Sequence, residues 1–440
     1  MDSQAQTVSH PASSSAVSST MTPADVRSLY AVIDEEINAR IGVTMGFEAL
    51  LRAAPCEMDA REIAGFERRY AAIKQFQEQA LELFRASLRG ECDPAIARMV
   101  VSDLPETFRV EYHRTLTERQ HRTPVFFRTD EVVPGQLSEV QCSGSGWDLV
   151  ELMRRLYGDA PAVFGRPAHF PEPLARRFAR ALRGYVGGEP LIHHLVDNAS
   201  RPHGMRYFIQ RTRDEGLRYF SYDRGVGPDD CNFVRSHDFV SVLNHNFYVD
   251  RMRRCEEGEV FFDLPPSALF DGKLIMAWPF WRRTRQYFTD EVRGLFPYTS
   301  VVEPDGVELE NGERITIEEF CGRPASARDY YVKYAGTDIS RNWGSKAVFV
   351  ASSGSKVQTR TLMQSVVDDW AGERYWVVQR SARHKERIPV FTREGDLVHQ
   401  EAYGKWSGFY GPDGLMAIMV FHKRFHKVHG SPDTVMSIVY

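Results

Sequence analysis

The sequence predicts a mixed α+β or α/β protein that is helical at the front and rich in strands at the back. Residues 22–90 repeat apolar side chains at helical spacing, whereas from about Pro124 short apolar runs alternate with turn residues. The middle of the chain adds a strand–helix–strand pattern, which is typical of an α/β unit. These observations set the fold class, and the individual elements follow from local signals.

The N-terminal region is expected to be mostly helical over residues 23–120, after a Ser/Ala/Thr-rich tail over residues 1–22 that is expected to be disordered. Thr22 followed by Pro23 is typical of a helix start, because threonine caps the helix and proline fits its first turn. A second long amphipathic segment, "DAREIAGFERRYAAIKQFQEQALELFRASLRG", is closed by Gly90.

The strand-rich part begins after these helices. The runs "PLIHHLVDN", "MRYFIQRTRDEG" and "LRYFSYD" predict a strand, a helix and a strand, with Asp197 and Asp223 at the two strand ends. Further on, "DYYVKYAGT" and "KAVFVASSG" predict two antiparallel strands joined by a polar loop. The run "RYWVVQRSA" and the glycine-containing terminal segment add further strands and hairpin turns.

Composition excludes several classes of function. The chain has 440 residues, 42% of them hydrophobic, which allows a large core in two or three structural units. A net charge of −4 and a pI near 6.4 do not favour nucleic acid, and no apolar run reaches the roughly 20 residues of a membrane span. The start shows no signal-peptide pattern, and six scattered cysteines without a CxxC pair fit a reducing compartment. We therefore expect a cytoplasmic protein with small-molecule partners and no nucleic-acid or membrane partner.

Four polar residues lie on or beside two predicted strands in "FFRTDEVVPGQLSEVQ". Arg128 and Asp130 share a face of the first strand, and Glu139 and Gln141 share a face of the second, because side chains two apart point the same way. The oxygens of Asp130, Glu139 and Gln141 could hold a hard cation such as Mg²⁺, and Arg128 could neutralise phosphate charge. The alternative is an Arg–Glu cross-strand pair on an exposed sheet face.

Two further strands carry candidate nucleotide contacts. Lys333 stands inside the apolar, aromatic run "YYVKYAGT", where an ammonium group is unusual unless it meets an anion; the alternative is an exposed lysine on an edge strand. The loop of residues 344–346 could lie over phosphates through its backbone N–H groups. The strand "YWVVQ" could present backbone groups of Val378 and Gln379 to an adenine edge; the alternative is a buried strand without this role.

The order of these motifs resembles a known family, the ATP-grasp carboxylate–amine ligases of circularly permuted layout, and especially the glutathionylspermidine synthetase domain. An Arg-x-Asp strand and a Glu-x-Gln strand come first; a "DGK" lysine, a lysine strand, a glycine loop and a "VVQ" strand follow, over roughly residues 122–423. Gln141 stands where the family prefers Asn, and Lys333 is followed by "YAG" instead of Pro-Leu. The family's late arginine has no clean match, and Lys423 and Arg424 are the candidates.

The resemblance implies an ATP-grasp-like fold in which residues 121–270 carry the metal and phosphate strands beside an α/β unit and residues 271–440 bind the nucleotide. It implies ATP and Mg²⁺ as cofactors of an ADP-forming C–N ligase, which joins a carboxylate to an amine through an acyl phosphate. Amino acids or a peptide are the expected substrates, with a glutamyl group as one choice. The implied roles are catalytic for Arg128, metal-binding for Asp130, Glu139 and Gln141, and nucleotide-binding for Lys273, Lys333, Gly344, Ser345, Lys346, Val378 and Gln379, together with Ser143 or Ser145.

Two alternatives from other functional classes stay open on the sequence. Cys142 in "EVQCSGSGW" could be the nucleophile of a thiol amidase, although the sequence does not indicate which of the 14 histidines would serve as its base. The other alternative is a nucleotide-binding scaffold without catalysis. The combination of Arg128, Asp130, Glu139 and Lys333 argues against a scaffold that has lost its chemistry.

Overall fold

A computed structural model describes most of the chain. The described residues are 22–35, 49–53, 56, 58–116, 118–119, 121–142, 146–158, 170–195, 204–221, 231–236, 253–263, 267–270, 272–342, 347–425 and 434–439. Several sequence predictions lie outside this set: the tail up to residue 21, Asp197, Asp223, Ser143, Ser145, Gly344, Ser345 and Lys346.

The predicted mixed α/β class is confirmed, with helices concentrated in the first half of the chain and strands in the second. The helices are α1 (Pro23–Ile33), α2 (Ala60–Arg89), α3 (Ala95–Val101), α4 (Val110–Thr115), α5 (Trp147–Gly158), α6 (Leu174–Val186), α7 (Gly204–Asp214), α8 (Asp290–Gly294), α9 (Ile317–Gly322), α10 (Ile339–Asn342) and α11 (Lys356–Ala371). The strands are β1 (Ala49–Arg52), β2 (Phe127–Val133), β3 (Gln136–Gln141), β4 (Leu191–Leu195), β5 (Arg218–Ser221), β6 (Phe233–Ser236), β7 (Phe261–Phe262), β8 (Thr299–Val301), β9 (Val307–Glu308), β10 (Arg314–Ile315), β11 (Tyr330–Tyr334), β12 (Val348–Val350), β13 (Trp376–Arg380), β14 (Lys385–Phe391), β15 (Leu397–Gly411), β16 (Gly414–Lys423) and β17 (Thr434–Ile438).

The ends of the long N-terminal helices follow from their capping residues. Helix α1 starts at a capping box built on Thr22, as its sequence predicts. Helix α2 starts at a second capping box between Asp59 and Glu62, and it ends at Gly90, whose φ of 75° is the left-handed conformation that glycine adopts without strain. Strand β1 lies between the two helices, so the N-terminal region also supplies a strand that helical periodicity does not reveal.

The largest sheet has seven strands in the order β14-β1-β17-β16-β15-β2-β3. All neighbouring pairs are antiparallel except β1 and β17. Strand β15 is 15 residues long, and one part of it also pairs with β14, which closes β14, β1, β17, β16 and β15 into a ring. Another part of β15, residues 406–410, pairs with β2, so the β2–β3 hairpin continues the same sheet outside the ring.

Three smaller sheets complete the fold. An antiparallel sheet has the order β12-β11-β13-β8, and its β11–β12 pair is the one that the sequence predicts around Lys333. A parallel sheet has the order β5-β4-β6-β7, and its β4, α7 and β5 are the predicted strand–helix–strand unit. Strands β9 and β10 form a two-stranded sheet.

Helix α2 covers one face of the β2–β3 hairpin and thereby determines which side chains face the other way. Tyr70 on α2 stacks on Phe127 of β2 with 6.2 Å between ring centroids. Arg69 on α2 forms a buried salt bridge with Glu131 of β2 at 2.8 Å. Phe127 and Glu131 face α2. Because side chains alternate along a strand, Arg128 and Asp130 face the opposite side of the hairpin.

Within the described part of the chain, no helix combines the length and the apolar character that crossing a membrane requires.

Candidate functional site

A buried group of charged side chains lies where the seven-stranded sheet meets the β12-β11-β13-β8 sheet. We call it the charged cluster. The larger sheet supplies members on β2, β3 and β15, the smaller sheet supplies members on β11, β13 and β8, and the segment before β8 supplies one lysine. Its charged members are Arg128, Asp130, Glu139, Lys273, Lys333 and Lys405, and its polar members are Ser138, Thr299, Gln379 and Ser407.

Strand register brings the predicted metal-binding residues onto one face. Asp130 on β2 lies directly opposite Glu139 on β3, and Arg128 lies opposite Gln141. Residues opposite each other in an antiparallel pair share a face, and so do residues two apart on one strand. The four residues predicted from the sequence therefore belong to the same side of the hairpin. Arg128 and Asp130 are buried rather than exposed, so the alternative of an exposed cross-strand pair is wrong.

A β-bulge at Ser138 connects the hairpin to the smaller sheet. The register shifts so that Asp130 pairs with Glu139 but Glu131 pairs with Leu137, which leaves Ser138 as the extra residue. The Ser138 hydroxyl donates to the backbone oxygen of Asp130 at 3.0 Å. The Ser138 carbonyl accepts a hydrogen bond from Nζ of Lys333 at 3.1 Å. The bulge thus presents a backbone oxygen to a lysine of the other sheet.

Asp130 is enclosed by three hydrogen-bond donors from two strands. Nε and Nη2 of Arg128 lie 3.0 and 3.1 Å from its two carboxylate oxygens, and Nζ of Lys405 lies at 2.8 Å. The Ser407 hydroxyl donates to its Oδ1 at 2.7 Å. Burial alone would raise the pKa of Asp130, but Arg128 and Lys405 outweigh burial and hold this pKa well below its usual range. The carboxylate is therefore ionised at neutral pH.

Glu139 forms an ion pair with Lys273, whose Nζ lies 3.0 Å from its Oε1. Lys273 immediately precedes a 3₁₀ segment at residues 274–277. Burial and the neighbouring Asp130 would raise the pKa of Glu139, but Lys273 and Lys333 lower it on balance. The Glu139 side chain keeps 24% of its surface exposed, which leaves it more accessible than Asp130.

Lys333 lies at the centre of the smaller sheet and not at an edge. Strand β11 is paired on one side with β12 and on the other with β13, so the alternative of an exposed edge lysine is wrong. Nζ of Lys333 donates to Oε1 of Gln379 at 2.6 Å, and the amide nitrogen of Gln379 donates to the Thr299 hydroxyl at 3.2 Å. Burial lowers the pKa of Lys333 to about 8, although Glu139 opposes the shift.

The predicted adenine contact on β13 is not supported. Val378 is fully buried, and residues 377–379 pair with β11 on one side and with β8 on the other. Backbone groups that bond to neighbouring strands cannot also read an adenine edge. Gln379 instead enters the charged cluster through its side chain, a role that the sequence does not indicate.

Lys405 and Ser407 are two members of the cluster that the sequence does not indicate, as are Ser138 and Thr299. Lys405 and Ser407 stand two apart on β15, and Ser407 lies directly opposite Asp130, so both face the cluster. The run "YGKWSG" shows the same alternation as the Arg-x-Asp strand, but its glycines favour an interpretation as hairpin turns. Of the two residues proposed for the family's late arginine, Arg424 is exposed and donates to Gln400 at 2.9 Å.

Counted over the residues that the structure describes, the charged cluster has more positive than negative side chains. Its four cationic side chains outnumber its two carboxylates by two. Burying unbalanced charge is costly, so an arrangement of this kind favours an anion of at least two negative charges. Among the residues that the structure describes, no group of three or more His, Cys, Asp or Glu side chains is placed to hold a metal ion.

Cys142 lies next to the cluster in sequence but is packed in the hydrophobic core. Its side chain is 3% exposed, and it belongs to the cluster of apolar residues that surrounds α2. A nucleophilic thiol must reach its substrate and lie beside a base. The burial of Cys142 does not favour the thiol-amidase alternative.

The chain resembles known proteins in its fold and not in its sequence. No protein-family model and no curated protein matches the chain. Among solved structures, a glutathione synthetase-like effector from Globodera pallida in its apo form matches with a TM-score of 0.52 and 11% sequence identity, over 95% of this chain and 96% of that one. The chain shares a glutathione synthetase-like fold. A candidate γ-glutamylcysteine synthetase from Methylobacillus flagellatus KT matches with a TM-score of 0.38 and 10% identity, over 80% of this chain and 84% of that one, a score too low to carry an argument.

Proposed function

We propose that the chain is an ATP-dependent carboxylate–amine ligase that forms an amide bond through an acyl phosphate and releases ADP and phosphate. The observation that carries the proposal is the excess of positive charge in a buried cluster that also holds two ionised carboxylates. A polyphosphate would supply the missing negative charge. The likeness to a glutathione synthetase-like fold supports the same class of scaffold.

The residues of the hairpin fit a magnesium ion shared with phosphates. Mg²⁺ is commonly bound by one or two carboxylates together with substrate phosphate oxygens, and Asp130, Glu139 and Gln141 offer two carboxylates and an amide on one face. When bound, Mg²⁺ would neutralise phosphate charge as it builds during transfer. Glu139 is the better candidate for direct contact, because both oxygens of Asp130 already accept from Arg128, Lys405 and Ser407.

The cationic side chains would do most of the catalytic work. We assign Lys273 and Lys333 to the nucleotide phosphates and Arg128 to the phosphoryl group that is transferred, where its fixed fork can stabilise charge spread over several oxygens. Lys405 would hold Asp130 ionised. Attack of the substrate carboxylate on the γ-phosphorus would form the acyl phosphate and release ADP. Attack of the amine on the acyl carbon would then expel phosphate, so positioning and charge suffice without a protein nucleophile.

The division of labour along the chain is part of the proposal. Residues 121–270 would supply the metal-binding hairpin and residues 271–440 would bind the nucleotide. Gly344, Ser345 and Lys346, and Ser143 or Ser145, stay proposals from the family resemblance. The same resemblance leads us to propose amino acids or a peptide as substrates, with a glutamyl group as a first choice.

The test is Mg²⁺-dependent ADP release from ATP in the presence of amino-acid pools. We expect release that depends on a pool, that Glu139→Ala abolishes and that Glu401→Ala leaves intact, since Glu401 forms an exposed ion pair elsewhere on β15. Cys142→Ser should retain activity; its loss would favour the thiol amidase. ATP binding without ADP release under every pool would favour the non-catalytic scaffold, and absence of both would refute the proposal.

A further inference from the structure

A carboxylate from the N-terminal helical region organises the turn that follows Lys333. Asp103, just after α3, accepts hydrogen bonds from the Tyr334 hydroxyl at 2.6 Å and from the Thr337 and Asp338 backbone N–H groups at 2.7 and 2.9 Å, all at its Oδ2. Its Oδ1 accepts from the Thr337 hydroxyl at 3.0 Å. One side chain thus collects four donors from a five-residue segment that starts next to Lys333.

The same turn also holds the backbone of Lys273. The Ala335 carbonyl accepts from the N–H groups of Lys273 and Leu274 at 3.0 and 3.2 Å. The Ala335 N–H in turn donates to the Tyr375 carbonyl at 2.9 Å. Lys273 and Lys333, two of the three lysines of the charged cluster, are 60 positions apart in the sequence and are therefore linked through Ala335, which lies two residues after Lys333.

Two glycines allow the close approach on which this linkage depends. A Cβ at Gly336 would lie 2.3 Å from Oδ2 of Asp103, and a Cβ at Gly272 would lie 2.9 Å from the Ala335 carbonyl oxygen. Both distances are shorter than van der Waals contact allows, so any larger residue would push the turn away from its partner. Asp103, the turn and the Lys273 segment form one continuous set of contacts.

We propose that Asp103 is a positioning residue that sets the spacing between Lys273 and Lys333 so that both ammonium groups reach one polyphosphate. The identity of that ligand rests on the proposed function. The backbone linkage itself does not, which allows the two ideas to be tested apart. Asp103 touches neither lysine side chain and acts through the turn.

The first experiment measures binding of inorganic tripolyphosphate to the full-length protein by calorimetry. Asp103→Asn keeps the size of the side chain but turns an amide N–H₂ group toward hydrogen-bond donors. Since the loss of one charge-assisted contact lowers affinity by at least about tenfold, we expect the dissociation constant to rise roughly tenfold or more. The matched control is Asp369→Asn, because Asp369 accepts three side-chain hydrogen bonds in the same region, from Arg341, Arg374 and Trp376, and none of these donors belongs to residues 334–338.

A second readout needs no ligand. Hydrogen exchange at the Lys273 and Leu274 amides reports directly on their bonds to Ala335. We expect faster exchange there in Asp103→Asn than in wild type or Asp369→Asn. Gly336→Ala disturbs the same contact from the turn, because its Cβ would meet Oδ2 of Asp103. It should reproduce both effects, and it replaces Asp103→Asn if that variant does not fold.

The outcomes separate the two ideas. If wild type binds tripolyphosphate and Asp103→Asn and Gly336→Ala bind it equally well, the positioning role is wrong and the proposed function stands. Unchanged exchange at Lys273 and Leu274 in both variants also refutes the positioning role, whatever the binding data show. If wild type does not bind tripolyphosphate at all, both the proposed function and the positioning role fall.

Discussion

Raising the pH from 7 to 9 is expected to weaken tripolyphosphate binding about tenfold. Lys333 carries a positive charge below its pKa of about 8 and loses it above, because burial disfavours the ammonium form. At pH 9, one unit above this pKa, only about one tenth of the molecules keep the proton, whereas at pH 7 about nine tenths do. Comparison with a variant that keeps its charge at position 333 separates this loss from the ionisation of the ligand itself, which is the same for both proteins.

The stability of the fold should respond in the opposite direction. An unfolded lysine titrates near pH 10.4, so between about pH 8 and that value the unfolded chain binds more protons at this position than the folded chain. The contribution of Lys333 to the free energy of unfolding therefore rises with pH over this window. Weaker binding above pH 8 would then reflect the loss of the ammonium charge and not loss of the fold.

Calorimetric titrations at pH 7, 8 and 9 on wild type and Lys333→Arg test this reasoning. Arginine stays charged throughout, so across this range the dissociation constant of wild type should rise about tenfold relative to that of the variant. The same steep pH dependence in both proteins would show that another group titrates. A flat wild-type profile would show that Lys333 keeps its proton or does not meet the phosphates.

Three further predictions concern two residues at the charged cluster and one buried ion pair elsewhere in the fold. Gly146→Ala should lower kcat for ADP release, because a Cβ there would lie 2.7 Å from Nη1 of Arg128. The left-handed φ of 89° should also cost about 1–2 kcal/mol of stability. An unchanged kcat would contradict the predicted contact with Arg128. Lys405→Met should lower the free energy of unfolding in urea by about 1.5–3 kcal/mol, the usual range for a hydrogen bond to a charged group; a difference below experimental error would count against this contact. Asp263→Leu should lower the free energy of unfolding by about 3–5 kcal/mol, because it leaves Arg235 buried without its 2.8 Å ion-pair partner. Adding Arg235→Met should restore most of this stability. A double variant as unstable as the single one would refute this prediction.

The part of the site that sequence could predict is the part that local periodicity determines. Alternation along a strand places Arg128 with Asp130, and the short turn places Glu139 opposite them. The apolar, aromatic strand indicates Lys333 as a site residue, because a lysine there is unusual unless its ammonium group meets an anion. These predictions needed no knowledge of which other strands lie beside β2 and β11.

The missing part depends on pairing between distant strands, which periodicity does not reveal. Lys405 joins the cluster only because β15 pairs with β2 across more than 270 residues of sequence. The apolar strand predicts backbone contacts of Gln379 with adenine. In the structure, the backbone of β13 pairs with strands on both sides, and only the Gln379 side chain reaches the cluster. The bulge at Ser138 also has no sequence signature, since it arises from a register shift between two strands.

The charges of the cluster are unevenly distributed between its two sides. On the seven-stranded sheet, Arg128 and Lys405 balance Asp130 and Glu139, so that side of the cluster is neutral. The excess positive charge therefore belongs to the other side, on the two lysines that Ala335 links. A polyphosphate would bind to these two lysines. Lys273 would then release Glu139 from their ion pair, and Glu139 could bind a cation. Phosphate binding and metal binding would then strengthen each other, because phosphate takes Lys273 away from Glu139 and the metal ion takes Glu139 away from Lys273.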